Sequence, residues 1–63
     1  MVISLAAARI NAGLSQQKVA ELLNKTRHTI WNWENGKTKP DINCAKALCD
    51  LYGVSMDSIK EFA

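Results

Sequence analysis

The sequence is poor in the residue types that indicate catalysis, metal binding or a membrane span. It contains one histidine, two cysteines, three glycines and one proline among 63 residues. The glycines form no phosphate-binding loop, His28 stands in no recognisable catalytic motif, and no residues have the spacing of metal ligands. No run approaches the roughly 20 apolar residues of a membrane span. The sequence predicts a protein that is not an enzyme, takes no metal, cofactor or small-molecule ligand, and does not enter a membrane.

The two cysteines, Cys44 and Cys49, are the one possible covalent link. They lie five positions apart, and on one helix that spacing places them on different faces, which argues against a disulfide between them. The N-terminus has neither the basic segment nor the apolar run of a secretory signal. We therefore expect reduced thiols with structural roles, in a cytoplasmic protein.

Length and charge point to one small domain with an uneven surface. We expect a single domain over residues 1–63. The net charge is +2, but residues 18–39 carry +3 and residues 40–63 carry −2. The basic middle third has two interpretations that stay open at this point: an ordinary solvated surface, or a surface for a polyanionic partner.

The apolar pattern is helical and predicts an all-α bundle of five short helices. The expected helices cover about 4–12, 16–23, 27–35 and 42–52, with a last short one that follows Ser55. Ser15, Thr26, Asp41 and Ser55 are the expected N-caps, and Gly13 and Asn24 suit positive φ after a helix end. The expected inner faces are Leu5, Ala8 and Ala12; Val19, Ala20, Leu22 and Leu23; Ile30 and Trp33; Ile42, Ala45, Leu48, Cys49 and Tyr52; and Met56, Ile59 and Phe62.

The second and third helices form the most informative stretch, residues 16–35. A turn of three residues, 24–26, joins them, which is the geometry of a helix-turn-helix. Ala20 is small enough to let the third helix cross closely, and Ile30 and Trp33 would pin that helix to the core. The spacing thus predicts a third helix with one buried and one exposed side.

The exposed side of the third helix carries side chains suited to base edges in a DNA major groove. Arg27, His28, Trp31 and Asn32 form one stripe. Arginine can bond both acceptors of a guanine, and asparagine can bond adenine. Trp31 has two open interpretations: it meets thymine methyls or a sugar edge, or it packs on neighbouring side chains.

Groups that bind phosphate surround this stripe. An amide at the start of the second helix, a hydroxyl at the start of the third and the basic segment after it can position a protein on DNA without reading sequence. The predicted phosphate contacts are Gln16, Thr26, Asn35, Lys37, Thr38 and Lys39. Taken singly, Lys37 and Lys39 are also explained by solubility.

In these residues the chain resembles the lambda-repressor-like (Cro/XRE-type) helix-turn-helix domains of phage and bacterial regulators. The resemblance is carried by Ala8-Arg9, Gly13-Leu14-Ser15-Gln16, Val19-Ala20, Thr29-Ile30, Trp33-Glu34-Asn35-Gly36-Lys37, Pro40 and Gly53-Val54-Ser55, across nearly the whole chain. It implies a five-helix fold, a third helix in the major groove of double-stranded DNA, and a structural ion pair between Arg9 and Glu34. It also implies a transcriptional regulator of repressor type, associated with the nucleoid and bound as a homodimer to two half-sites.

The sequence departs from that family at three positions. Asn24 stands where glycine is common, Lys25 replaces an apolar residue, and Trp31 stands where a small or polar residue is common. Base preference therefore cannot be copied from relatives.

A rival interpretation keeps the fold and changes the partner. The domain would then be a protein-interaction module, such as an antitoxin or anti-repressor, that uses an apolar patch of Leu51, Val54, Met56 and Phe62. The same patch would serve a homodimer on DNA.

Overall fold

A computed structural model describes residues 2–62, and four α-helices account for most of them. In chain order they are α1 (Leu5–Asn11), α2 (Gln16–Leu23), α3 (Arg27–Glu34) and α4 (Ile42–Tyr52), followed by two 3-10 turns, Met56–Ser58 and Lys60–Phe62. The all-α class is confirmed. Met1 and Ala63, the ends of the expected domain, lie outside the described residues.

A side-chain oxygen caps the start of every α-helix. Ser4, Ser15, Thr26 and Asp41 each have extended backbone dihedrals and accept the backbone N–H three residues ahead. Such a cap satisfies one N–H that the helix itself leaves without a partner. The bond from the Cys44 N–H also lowers the pKa of the Asp41 carboxyl. The three α-helix starts predicted at Ser15, Thr26 and Asp41 are confirmed.

Within two residues of its end, each α-helix is followed by a residue with positive φ, and the next N–H donates to the carbonyl five residues back. After α2 the residue is Asn24, with φ 57° and ψ 44°, and the next N–H, from Lys25, donates to the Ala20 carbonyl at 2.8 Å. This bond reaches back over the last turn and reverses the chain within three residues. The short connection between α2 and α3 follows directly from it.

The core collects one side of every α-helix. Its buried members are Leu5, Ala8, Val19, Ala20, Ile30, Trp33, Leu48, Cys49, Tyr52 and Ile59, with Ala45 buried as well. Three expected core positions were wrong: Leu22 and Ile42 are more than half exposed, and Ala12 is exposed. Leu22 lies two residues beyond the buried Ala20, about 200° around the helix, and therefore points away from the core.

The expected fifth helix is replaced by two 3-10 turns with an extended residue between them. Ile59, fully buried, has φ −99° and ψ 120° and forms a parallel bridge with Ile3. The Ile3 N–H donates to the Ser58 carbonyl, and the Lys60 N–H donates to the Ile3 carbonyl, both at 2.8 Å. A residue paired in this way cannot continue a helix, so the segment breaks at Ile59.

Ser55 does not cap the first of these turns with its side chain. Its Oγ lies 2.9 Å from that of Ser58 instead.

Within residues 2–62, no helix has the length and apolar character needed to cross a bilayer.

Candidate nucleic-acid interface

The exposed side of α3 is held in place by its buried side. Ile30 and Trp33 are in the core, and the small, buried Ala20 on α2 leaves room for α3 to pack closely. The opposite side turns Arg27, His28 and Trp31 to solvent, with Asn32 half-buried. Three of the four predicted base-contacting residues therefore lie on an open surface that the core orients.

Two rings on this surface stack on each other. The His28 and Trp31 ring centroids are 5.7 Å apart, and their planes are 9° from parallel, a geometry in the usual range for stacked aromatic pairs. Trp31 nevertheless keeps 40% of its surface exposed. The ring thus packs on a neighbour and still offers apolar surface to a partner.

A shallow depression joins the first turns of α2 and α3. Gln16, Arg27, His28 and Trp31 line it, with a volume of about 390 Å³. Gln16 and Arg27 also line a second depression with Arg9, Ser15 and Gln17. The first turns of both helices contain no acidic residue of their own, and the positive ends of the helix dipoles point to this surface. Together with Arg27, these ends make an electropositive surface suited to an anion.

The predicted phosphate contacts divide into two groups. Gln16, Thr26 and Asn35 already make hydrogen bonds within the chain: the Gln16 amide donates to Glu34, Thr26 caps α3, and the Asn35 amide donates to the Trp31 carbonyl at 2.9 Å. An amide has a second hydrogen to donate. Lys37, Thr38 and Lys39 lie exposed in the segment after α3.

Behind the interface, Arg9 and Glu34 form a mostly buried ion pair. The Arg9 Nε donates to Glu34 Oε2 at 2.7 Å, and the two side chains are 14% and 5% exposed. Arg9 Nη1 also donates to the Leu14 carbonyl at 2.9 Å. Gln16 Nε2 donates to the other Glu34 oxygen at 2.9 Å. One carboxylate therefore ties α1 and the first residue of α2 to the last residue of α3.

Tyr52 of α4 lies close enough to this pair to be affected by its charges. Burial, and to a smaller extent the negative charge of Glu34, raises the pKa of the Tyr52 hydroxyl to about 12, while Arg9 opposes the shift. The hydroxyl is therefore neutral at ordinary pH. On the side of α4, the Arg9–Glu34 pair therefore faces a neutral hydroxyl and not a third charge.

The two cysteines are not cross-linked, and burial raises the pKa of both thiols. A raised pKa keeps a thiol protonated and poorly nucleophilic. Among residues 2–62, no group of three or more His, Cys, Asp or Glu side chains is placed to hold a metal ion.

The expected C-terminal patch is only partly open. Leu51, Val54, Met56 and Phe62 are all half-buried and packed against the core of their own chain. The most exposed large apolar side chains lie elsewhere: Val2, Ile10, Leu22, Trp31 and Ile42.

Sequence reasoning missed three features of the site. It did not connect Gln16 to Glu34, it did not place Ser15 and Gln17 beside Arg27, and it gave Glu61 no role. Glu61 Oε1 accepts the Leu5 N–H at 2.9 Å, 56 positions away, and so supports the start of α1. No periodicity encodes contacts of this range. The capping pattern at Ser15 was the one local signal that pointed to the α2 terminus.

Comparison with known proteins gives two matches. A family model described as "Helix-turn-helix" matches residues 5–59. The SPbeta prophage-derived uncharacterized HTH-type transcriptional regulator YonR of Bacillus subtilis (strain 168) is 39% identical over 49 residues, which is 78% of this chain and 45% of that protein. The chain therefore spans less than half the length of this curated relative. No solved structure matches the chain.

Proposed function

Because this chain belongs to the helix-turn-helix family, we propose that it binds double-stranded DNA sequence-specifically, with α3 in the major groove. The observation that carries the proposal is the exposed side of α3, where Arg27, His28 and Trp31 face solvent while Ile30 and Trp33 anchor the helix in the core. An α-helix fits the major groove, and its outward side chains then reach base edges.

The charges around α3 support contact with the DNA backbone. The proposed base contacts are Arg27, His28, Trp31 and Asn32, and the proposed phosphate contacts are Gln16, Thr26, Asn35, Lys37, Thr38 and Lys39. These phosphate-contacting residues lie at the N-terminus of α2, at the start of α3 and after α3, on either side of the base-reading stripe. Phosphate contacts of this kind fix the position of the helix, and the base contacts then select sequence.

The protein's role is proposed to be transcriptional regulation by repression. The relative is named as an HTH-type transcriptional regulator, which supports the regulatory part. Family membership and that name both indicate a non-enzymatic protein. We propose further that two copies bind two half-sites about one helical turn apart, in the cytoplasm at the nucleoid.

A protein-interaction module has less support. The four apolar residues on which it would depend are packed against their own core, so little of their surface is left for a partner. The charge distribution also favours a polyanion over an apolar protein surface near α3.

Selection of bound sites from random duplex DNA tests the proposal directly. The expected result is enrichment of a motif with two related half-sites. Absence of any enriched sequence, at a salt concentration low enough to favour phosphate contacts, would contradict DNA reading. An enriched but asymmetric single site would retain DNA binding and contradict the dimer.

The variant Arg27→Ala then identifies the reading helix. It should weaken binding to the selected duplex by about 1–3 kcal/mol and relax the preference at one base position. Ile10→Ala on the exposed side of α1 serves as a matched control and should leave both unchanged. Unaltered affinity and base preference in Arg27→Ala would remove α3 from the proposed role.

A further inference from the structure

We propose that His28 and Trp31 together form one apolar surface that reads the 5-methyl group of a thymine in the major groove. The inference rests on the proposed function, because it assigns a base preference to the same side of α3. The two rings stack with centroids 5.7 Å apart and planes 9° from parallel. They therefore present one surface to a partner and not two independent side chains.

The two tryptophans of the chain differ in exposure. Trp33 is 6% exposed and belongs to the core, whereas Trp31 is 40% exposed. Tryptophan is enriched at contact sites, because its ring buries a large apolar area and its N–H can find a partner there. Stacking on His28 also restricts the indole before binding, so less side-chain freedom is lost when a partner covers it.

The chemistry of the major groove identifies what such a surface can read. The base edges there carry hydrogen-bond donors and acceptors, and the thymine methyl is the one apolar group among them. Arg27 and Asn32 can bond the polar groups, but the carbon faces of the stacked rings cannot. Burial of one methyl-sized group against them is worth about a fourfold gain in affinity.

The neighbours of the stack place the methyl relative to a guanine. Arg27 lines the same depression as His28 and Trp31, and arginine is the usual partner of guanine. Arg27 and Trp31 are four residues apart, about 6 Å along the helix axis, and base pairs are stacked about 3.4 Å apart. The thymine should therefore lie one or two base pairs from the guanine that Arg27 bonds.

Replacement of thymine by deoxyuridine removes the methyl and nothing else, so it is the probe. Each thymine of the selected duplex is replaced in turn, and Kd is measured by fluorescence anisotropy at fixed salt. We expect Kd to rise about three- to fivefold at one or two thymines and to stay unchanged at the rest. At the same position, a C·G pair with 5-methylcytosine should bind more tightly than unmethylated C·G by a similar factor.

Two variants assign the effect to the stack. In Trp31→Ala the ratio of Kd between uracil and thymine should fall to about one, while substitution of the guanine still weakens binding. Ile10→Ala, which removes another exposed apolar side chain, on α1, should keep the wild-type ratio. If Trp31→Ala binds too weakly to measure, a wild-type complex with ¹³C-methyl thymine should show NOEs between that methyl and the Trp31 ring.

Three results would overturn the inference while the proposed function stands. These are equal binding of thymine and uracil at every position of a duplex bound with guanine specificity, a uracil effect that persists in Trp31→Ala, and methyl NOEs only to residues other than His28 and Trp31. Failure of the selection to enrich any duplex is a separate result that would overturn the proposed function and this inference together.

Discussion

At the scale of single residues, Glu34 has the most consequential position in the molecule. Its Oε2 accepts from Arg9 Nε, its Oε1 accepts from both Gln16 Nε2 and Arg9 Nη2, and its side chain is 5% exposed. A buried carboxylate is costly unless its oxygens are bonded. These bonds come from α1 and α2, so they hold the C-terminal end of α3, and with it the exposed stripe, in one orientation.

Arg9→Ala should therefore destabilise the fold strongly, because it leaves the Glu34 charge with a single amide partner. Removal of one member of a buried ion pair typically costs about 3–5 kcal/mol, and for a domain of this size that lowers Tm by more than about 10 °C. Thermal and chemical denaturation measure the effect, and the base preference of the folded fraction should not change.

Gln16→Ala and the double variant Arg9→Ala/Glu34→Ala distinguish the ion pair from general truncation. Gln16→Ala removes one hydrogen bond to a charged group and should cost about 1.5–3 kcal/mol. The double variant should lose less stability than Arg9→Ala and Glu34→Ala lose in sum. Each single variant leaves one buried charge without its partner, whereas the double variant leaves none. Strict additivity would show that the contact contributes no coupling energy.

At the scale of elements, local sequence signals predicted the α-helices well and the last segment poorly. Some features depend only on neighbours within five residues and can therefore be predicted from the sequence. They are the caps at Ser15, Thr26 and Asp41 and the positive φ of Asn24. The break at Ile59 depends on Ile3, at the other end of the chain. The apolar spacing of Met56, Ile59 and Phe62 carries no information about that pairing.

The site shows the same division between local and distant contacts. The exposed stripe of α3 follows from helical spacing, and the sequence predicted its outward direction. The stack of His28 on Trp31 is also local, and the spacing of three residues on a helix is compatible with it. The bond of Gln16 to Glu34 spans 18 positions and depends on how α2 and α3 cross, which no local pattern states.

The turn between α2 and α3 permits a test at this scale through Asn24. Its positive φ disfavours residues with a Cβ by roughly 1–2 kcal/mol, asparagine less than others. Asn24→Ala should therefore destabilise the fold by about 1 kcal/mol, and Asn24→Gly should be close to neutral. Chemical denaturation of the two variants measures the difference.

The decisive observation is which of the two variants, Asn24→Ala or Asn24→Gly, is the more stable. Inside a helix alanine is more stable than glycine by about 1 kcal/mol, and at Asn24 the order should be reversed. Asn24 is exposed, so packing does not explain a reversal. A more stable alanine variant would mean that the backbone leaves the left-handed conformation in solution.

At the scale of the whole molecule, size and charge distribution both suit a protein that lies along DNA. The chain extends 28 Å in its longest direction, less than the roughly 34–36 Å between half-sites one helical turn apart. Two copies therefore fit side by side on one face of a duplex. The +3 of residues 18–39 and the −2 of residues 40–63 give each copy a basic middle segment and an acidic C-terminal segment.

The charge distribution, and not the net charge, should control how affinity depends on salt. Lys37→Ala removes a charge from the segment after α3, where we propose phosphate contact. Lys46→Ala removes an equal charge from an exposed position of α4, in the acidic third of the sequence. Both variants have the same net charge. For Lys37→Ala, we expect weaker binding to all sequences alike and a slope of log K against log salt that is shallower by about one, because one fewer counterion is released.

Lys46→Ala should keep the wild-type slope within error, since Lys46 is not among the proposed phosphate contacts and its removal changes the number of released counterions little. The measurement is a titration of selected and random duplexes at four or five salt concentrations. Equal slopes in the two variants would mean that the protein attracts DNA through its overall charge. If Lys37→Ala instead loses affinity for the selected duplex alone, Lys37 is a base-reading residue and not a phosphate contact.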